Sequence, residues 1–428
     1  MRRRNRSRPQ RPKQRTPSKQ DGARRTEILE AAASLIASSG LRTSLQEIAD
    51  AADILPGSLY HHFDSKEAIL TELIQRYHAD LDRIGEAAQQ ERDSGPVPER
   101  IVALGSAIAN CAVRHRAALQ LTFHEPPATA HPDLVELAQR PPRAIRTAML
   151  ATLRRGRSSG YIRPGIDIPT LADRICQTML HVGLDVIRRD AAPDRVAALL
   201  CRILLRGLAS RPPSDAELDR SRARRAVDRV IETWSDEDEA GSDDKAAYVR
   251  AVARTEFGRR GYEATTIRDI AKAAGLGTST VCRVIGSKEE LMASIMRSFG
   301  KKIAAGWIAA LGSDSTPIEK LDALCWLDIN ALDRFQDEFK IQLAWLRQSP
   351  PDTPNPGWSF ATRLRQLSAL LGEGIRSGAI RIETPSTGML ARCVLDLLWI
   401  PENILRASGR RAALVHARDT LLRGVAVR

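Results

Sequence analysis

Residues 44–67 read SLQEIADAADILPGSLYHHFDSKE, and their pattern decides the fold of the first half of the chain. Ser44 is an N-cap residue, with Glu47 three positions on as its reciprocal partner. Ile48, Ala49 and Ala52 give the helix that follows a small apolar face, which a second helix can cross closely. Asp53 falls at the turn, where aspartate tolerates the left-handed backbone better than most residues. Pro56 suits the first turn of the next helix, whose N–H groups have no intrahelical acceptor. Leu59 and Phe63, four apart, face inward, so Ser58, Tyr60, His61 and His62 are left on the outer face. Asp64 and Glu67 have capping-box spacing and predict the start of a long helix.

A short helix exposing hydroxyl, phenol and imidazole groups suits the major groove of DNA, where such groups donate and accept hydrogen bonds to base edges and phosphates. The same pattern also fits an ordinary helical hairpin with Tyr60 partly buried. Upstream, Ile28, Leu29, Ala32, Ala33, Leu35 and Ile36 recur at helical spacing until Gly40.

The pattern returns 222 residues later. IADAA at 48–52 matches IAKAA at 270–274, and SKEAIL at 65–70 matches SKEELM at 287–292. Further on, RSSGYIR at 157–163 matches RSGAIR at 376–381, and ILLRGLA at 203–209 matches TLLRGVA at 420–426. The repeat therefore spans whole units. Between them, 235–244 reads SDEDEAGSDD, a flexible acidic linker by composition, and the mixed-charge stretch before it predicts one connecting helix. Amphipathic stretches predict further helices near 65–90, 97–118, 132–158, 168–189 and 193–209. In the second half they predict helices near 287–311, 317–337, 338–348, 359–377, 386–406 and 409–425. No strand alternation is sustained, so the fold class expected is all-α.

LPGSLYHHFDSKEAI, at 55–69, closely resembles the recognition-helix signature of TetR/AcrR-family regulators, and ILEAAASLIASSG resembles their first helix. GYEATTIRDIAKAAGLGTSTVCRVIGSKEEL, at 261–291, resembles the same region. The resemblance implies two TetR-like units in one chain. Each would carry an N-terminal three-helix helix-turn-helix domain and a C-terminal helical domain for ligand binding and dimerisation. Carried over by position, Ser44, Gln46, Gly57, Ser58, Tyr60, His62 and Lys66 would face DNA, with His61 beside them on the exposed side. In the second unit Thr266, Arg268, Thr278, Ser279, Thr280, Arg283 and Lys288 would do so. There Cys282 stands in place of Tyr60, Val284 opposite His62 and Ile285 in place of Phe63, which puts DNA binding by that unit in doubt. Arginine at 268 or 283 offers an alternative contact, since a guanidinium reads guanine in a bidentate way.

The boundaries expected are a basic tail at 1–21, a first helix-turn-helix domain at 22–67 and its ligand and dimer domain at 68–210. A connecting helix and linker follow at 211–243, then the second pair of domains at 244–289 and 290–428. Aromatic and polar candidates for lining an effector pocket are His115, Phe123, His124, Met149 and Tyr161, with Trp326, Phe335, Trp345 and Trp358 in the second unit. Each is equally readable as plain core. The partners implied are a double-stranded DNA operator and a small-molecule effector. The assembly implied is an intramolecular pseudodimer or a homodimer of chains.

Composition bounds the alternatives. Of 428 residues 43% are apolar, 27% charged and 4% aromatic, which favours helix. Six scattered cysteines form no Cys-x-x-Cys pair and read as buried hydrophobes in a reducing cytoplasm. No membrane span or secretory leader is expected. No Gly-rich phosphate loop, His-Glu-x-x-His or Gly-x-Ser-x-Gly is present, so neither enzyme nor cofactor is expected. Nor is a metal site, since His61 and His62 point about 100° apart on a helix. The competing functions are a ligand sensor or docking scaffold with silent helix-turn-helix units, and an architectural DNA binder.

Residues 1–25 hold eleven lysines and arginines against the single acid Asp21, a charge of +10 out of the chain's +13. Such a tail adds affinity for any duplex through counterion release. Deleting residues 1–20 is expected to weaken binding to all DNA and flatten its salt dependence. An unchanged salt slope in filter-binding titrations would remove the tail from the interface.

Overall fold

The computed structural model describes residues 19–41, 43–90, 95–123, 130–185, 192–234, 245–348, 354–357, 359–384 and 386–427. Residues 1–18 of the expected basic tail, the acidic stretch at 235–244 and the candidates His124 and Trp358 lie outside these, as does the side chain of Phe123, while residues 19–21 of that tail already belong to the first helix. Among the described residues the fold is all-α. The first half runs α1 (Lys19–Ser39), α2 (Leu45–Ala51), α3 (Pro56–His62), α4 (Lys66–Gln90), α5 (Val97–Arg114), α6 (Arg116–Phe123), α7 (Pro132–Gln139), α8 (Arg143–Ser158), α9 (Ile168–Asp185) and α10 (Pro193–Arg206). Two short helices follow, α11 (Asp215–Asp219) and α12 (Arg222–Glu232). The second half runs α13 (Lys245–Arg260), α14 (Ile267–Ala273), α15 (Thr278–Ile285), α16 (Lys288–Leu311), α17 (Pro317–Arg334), α18 (Gln336–Gln348), α19 (Phe360–Arg376), α20 (Thr387–Leu398) and α21 (Glu402–Ala417). A π-helical turn over Arg418–Arg423 ends it.

Several expected helices are shorter than their apolar periodicity. The stretch 97–118 breaks at His115, which caps α5 with a non-helical backbone. The stretch 132–158 breaks at Pro141 and Pro142, since proline lacks the N–H a helix interior needs. The stretch 386–406 stops before Pro401. The single connecting helix expected before the linker is two helices, because Ser221 caps a new one at Arg222. Nor does it span a gap. Ala223 and Val227 are buried and α12 packs on α16 and α17, inside the second unit. The acids of α11 fasten the segment there. Asp219 takes a bidentate pair from Arg411 at 2.7 and 2.8 Å and a further bond from Arg418 at 2.7 Å. Arg418 is buried and also grips the buried Asp322 at 2.7 and 2.9 Å.

In each half a long helix, α4 or α16, leads from the three-helix N-terminal region into the rest of the unit. Close crossings use glycine. A Cβ on Gly85 would meet the Ala144 backbone at 2.4 Å, and one on Gly306 would meet Leu327 at 2.4 Å.

The halves meet where the repeated Arg-Gly segments cross. The N–H groups of Leu208 and Ala209 donate to the carbonyls of Leu421 and Leu422, each at 2.9 Å. In return Val425 and Ala426 donate to Leu204 and Leu205 at 3.2 and 2.8 Å. Each half also adds a bridge to the other's loop, Ile162 to Ala426 and Ala209 to Ile380. At the centre Gly207 (φ 70°, ψ 170°) and Gly424 (φ 74°, ψ 155°) adopt a conformation essentially confined to glycine. A Cβ on Gly424 would lie 2.2 Å from the Arg206 carbonyl carbon, and one on Gly207 would lie 2.4 Å from Arg423. Beside the crossing, the buried Arg174 donates to the carbonyls of Leu397 and Trp399. These are the orphan acceptors at the end of α20, where the helix dipole favours a cation.

Gly424→Ala is therefore expected to cost at least ~2 kcal/mol, from backbone strain and overlap together. Gly388→Ala, on α20 with nothing within 4 Å of its Cβ, serves as control. Equal chemical denaturation midpoints for the two variants would show that the crossing relaxes freely.

Candidate nucleic-acid interface

Both N-terminal regions are built by the same local chemistry. Ser44 caps α2: its hydroxyl accepts the Glu47 N–H at 3.2 Å and the Glu47 carboxylate accepts the Ser44 N–H at 2.6 Å. That backbone bond, then the hydroxyl, holds the Glu47 carboxyl below its ordinary pKa. Thr266 and Asp269 repeat the box on α14, and there hydrogen bonds from Thr266 draw the Asp269 carboxyl down to about 2. Asp53 turns with φ 53°, and Gly275, 222 residues later, with φ 65°. Leu59 and Phe63 in the first copy and Val281 in the second are buried and seat the following helix. A different side chain in each copy latches the first helix to the turn. Arg24 donates to the carbonyls of Ala52 and Asp53, and the Tyr248 hydroxyl to that of Ala274.

The cap expected at Asp64 sits one residue later. Ser65 accepts the Ala68 N–H at 3.1 Å, as Ser287 accepts that of Glu290. Ala68 has no polar side chain to reciprocate, and Glu67 instead accepts the His131 N–H at 3.1 Å.

The face left outward on α2 and α3 carries Ser44, Gln46, Gly57, Ser58, Tyr60 and His61, all exposed, with His62 half-buried. Gln46 is held by Asp50 at 2.8 Å. In the second copy Thr266, Arg268, Thr278, Ser279 and Arg283 are exposed and Thr280 is half-buried. Cys282 is exposed where Tyr60 stands in the first. Leu55, left out of the sequence reading, is 77% exposed at the N-cap of α3. Its position before Pro56 was the available signal.

The two lysines expected to face DNA are both engaged within the protein. Lys66 is half-buried and donates to the Leu41 carbonyl. Lys288 donates to Glu263 at 3.4 Å and lies 4.3 Å from the Tyr262 ring centroid. Burial lowers both ammonium pKa values. Each lysine ties the start of the long helix to the loop after the first helix.

The effector-pocket candidates are scattered. Met149, Phe335 and Trp345 are buried, Phe335 between Trp234 and Phe299. Trp326 donates its indole N–H to Asp228 at 2.7 Å beneath the Arg224 guanidinium. Tyr161 lies at the seam, its carbonyl accepting Val427 N–H. His115 bonds Asp80 at 2.6 Å. An open groove of about 880 Å³ runs between α12 and α16, lined by Arg222, Arg225, Arg229 and Ile308 among others, and by none of these candidates.

Two stretches, residues 28–73 and 249–295, match the model of the bacterial regulatory proteins of the tetR family. The HTH-type transcriptional repressor KstR2 of Rhodococcus jostii is 34% identical over 196 residues, 44% of this chain and 92% of that protein. The chain belongs to the TetR family. The HTH-type transcriptional regulator BetI of Rhizobium meliloti is also similar to it, 33% identical over 102 residues, 24% of this chain and 48% of that one. A solved structure of the ketosteroid regulator KstR2 of Mycobacterium tuberculosis is 30% identical and covers 41% of this chain and 89% of its own, with a TM-score of 0.35. This TetR-family chain carries the N-terminal module twice.

With both lysines engaged internally, Lys66→Met and Lys288→Met are expected to change the slope of log K against log salt by well under the ~0.9 that one phosphate contact contributes. Arg283→Ala, from the exposed face of α15, is expected to remove close to that amount. A full unit lost on Lys66→Met would show that its ammonium leaves Leu41 for DNA.

Proposed function

We propose that this chain, a DNA-binding transcriptional regulator of the TetR family, is a repressor released by a small molecule, and that one polypeptide supplies both reading heads. The observation carrying this reading is the reciprocal crossing at Gly207 and Gly424, flanked by two complete helix-turn-helix modules. The crossing gives each unit, within the same chain, a surface that a separate subunit would otherwise provide. Linkage holds the partner at an effective concentration of about the millimolar range. On this reading the outward residues of α2, α3, α14 and α15 named above contact DNA. Leu55 supports an apolar contact of the kind a thymine methyl accepts.

The two heads differ chemically. The first presents hydroxyl, phenol and imidazole groups, and the second presents Arg268, Lys272 and Arg283. The preferred operator is then an imperfect palindrome whose half-sites lie about 34–36 Å apart. Tyr60→Ala is expected to weaken operator binding by about 1–3 kcal/mol with helicity unchanged. Footprinting is expected to show two unlike protected half-sites, and light scattering of the free protein a mass near 47.1 kDa. A stable mass of twice that would replace the pseudodimer by a homodimer of chains. Protection of no defined site would favour a sensor with silent helix-turn-helix units.

A further inference from the structure

The sequence reading expects no metal site, yet α4 and α5 bring three donors together. Asp80, Cys111 and His115 each offer one atom, and these atoms lie within 4.8 Å of one another. Cys111 and His115 are four apart, so one turn of α5 presents both on one face. Asp80 approaches from α4, its carboxylate 2.6 Å from His115 Nε2. Cys111 is buried, and the Asp80 and His115 side chains are only 12% and 15% exposed.

The second unit shows that the fold does not need these residues. His115 and Phe335 end their helices with nearly the same backbone, φ −102°, ψ 36° and φ −106°, ψ 45°. Their N–H groups donate to Cys111 and Ala331 respectively, both at 2.9 Å. Lys302 stands 222 residues after Asp80 and lies 5.2 Å from the Phe335 ring centroid. One unit closes this junction with alanine, phenylalanine and lysine. The other places thiol, imidazole and carboxylate there.

We propose that Asp80, Cys111 and His115 form a binding site for a borderline-soft divalent transition metal of the zinc class. Thiolate, imidazole and carboxylate are the donors such an ion takes, at about 2.0–2.3 Å. Binding releases the thiol proton and opens the Asp80–His115 hydrogen bond to let the ion between them. A further coordination position is left for water. Arg83 and Arg114, which pair with Asp80 from the surface, are 74% and 70% exposed and free to turn outward. The site joins α4 to the start of α6, and α6 packs on α1 of the first helix-turn-helix module. An ion here stiffens the junction through which that module is held.

Cobalt(II) is the probe, titrated into the full chain carrying Cys282→Ala to remove the exposed thiol. One equivalent is expected to bind with a thiolate-to-cobalt charge-transfer band and the intense visible bands of a four-coordinate ion, and zinc is expected to displace it. Both Cys111→Ala and His115→Phe are expected to abolish the band with helicity retained, the second because Phe335 occupies that place in the other unit. Absence of the band, or its survival in both variants, would overturn the site. Cobalt binding is read without DNA, so its failure leaves the regulator reading intact.

Discussion

Two backbones approaching at Gly207 and Gly424 set the arrangement of the molecule. Each glycine takes a conformation that other residues avoid, and each leaves no room for a Cβ against the other strand. Because side chains are absent at the centre, the flanking N–H and carbonyl groups reach across and pair reciprocally. Buried backbone groups must be paired, so the crossing and its hydrogen bonds are one constraint. The helices before each glycine, with α9 and α20 beside them, are thereby brought into contact.

Around this seam the halves are unequal. The second unit incorporates α12 and is clamped by Asp215 and Asp219 of α11 through Arg411, Arg418 and Arg423. The buried Arg418 aligns with Cys201 in the first unit, so the clamp has no counterpart there. A buried guanidinium needs every such partner, since leaving it uncompensated costs several kcal/mol. The asymmetry reaches the helix-turn-helix modules too, where Cys282 replaces Tyr60 while the caps are kept and a residue of positive φ fills each turn. Local caps and turns are repeated, whereas longer-range latches, Arg24 in one copy and Tyr248 in the other, and several outward residues differ.

That division explains what could be read from the sequence. Caps, turn residues and inward apolar positions are local and short-range, so Ser44, Asp53, Leu59 and their counterparts were legible as a pair of modules. The repeat itself announced the second unit, and the paired Arg-Gly segments showed that it runs to the end of each unit without revealing that they cross. Long-range partners were not legible. Lys66 reads as a free cation until the Leu41 carbonyl, 25 residues away, is placed beside it. The connector reads as one helix until its apolar face finds α16 and α17. Cys111 and His115 carried a usable signal in their spacing of four, but Asp80 came from another helix. A side chain's type does not say whether it lines a cavity or fills the core, and Met149, Phe335 and Trp345 are buried.

The strands that complete the seam are far apart along the chain. Arg163 donates to the carbonyl of Gly424 across 261 residues, and Ile162 bridges Ala426. During synthesis at about 5–20 residues per second, the loop after α8 emerges roughly ten seconds to a minute before the segment that covers it. Through that interval the first unit has its own core but an apolar flank along α9 and α10 without its cover. A flank left open for that time is where two nascent chains on one message can exchange halves, and linkage at about the millimolar range is what favours each chain's own second unit.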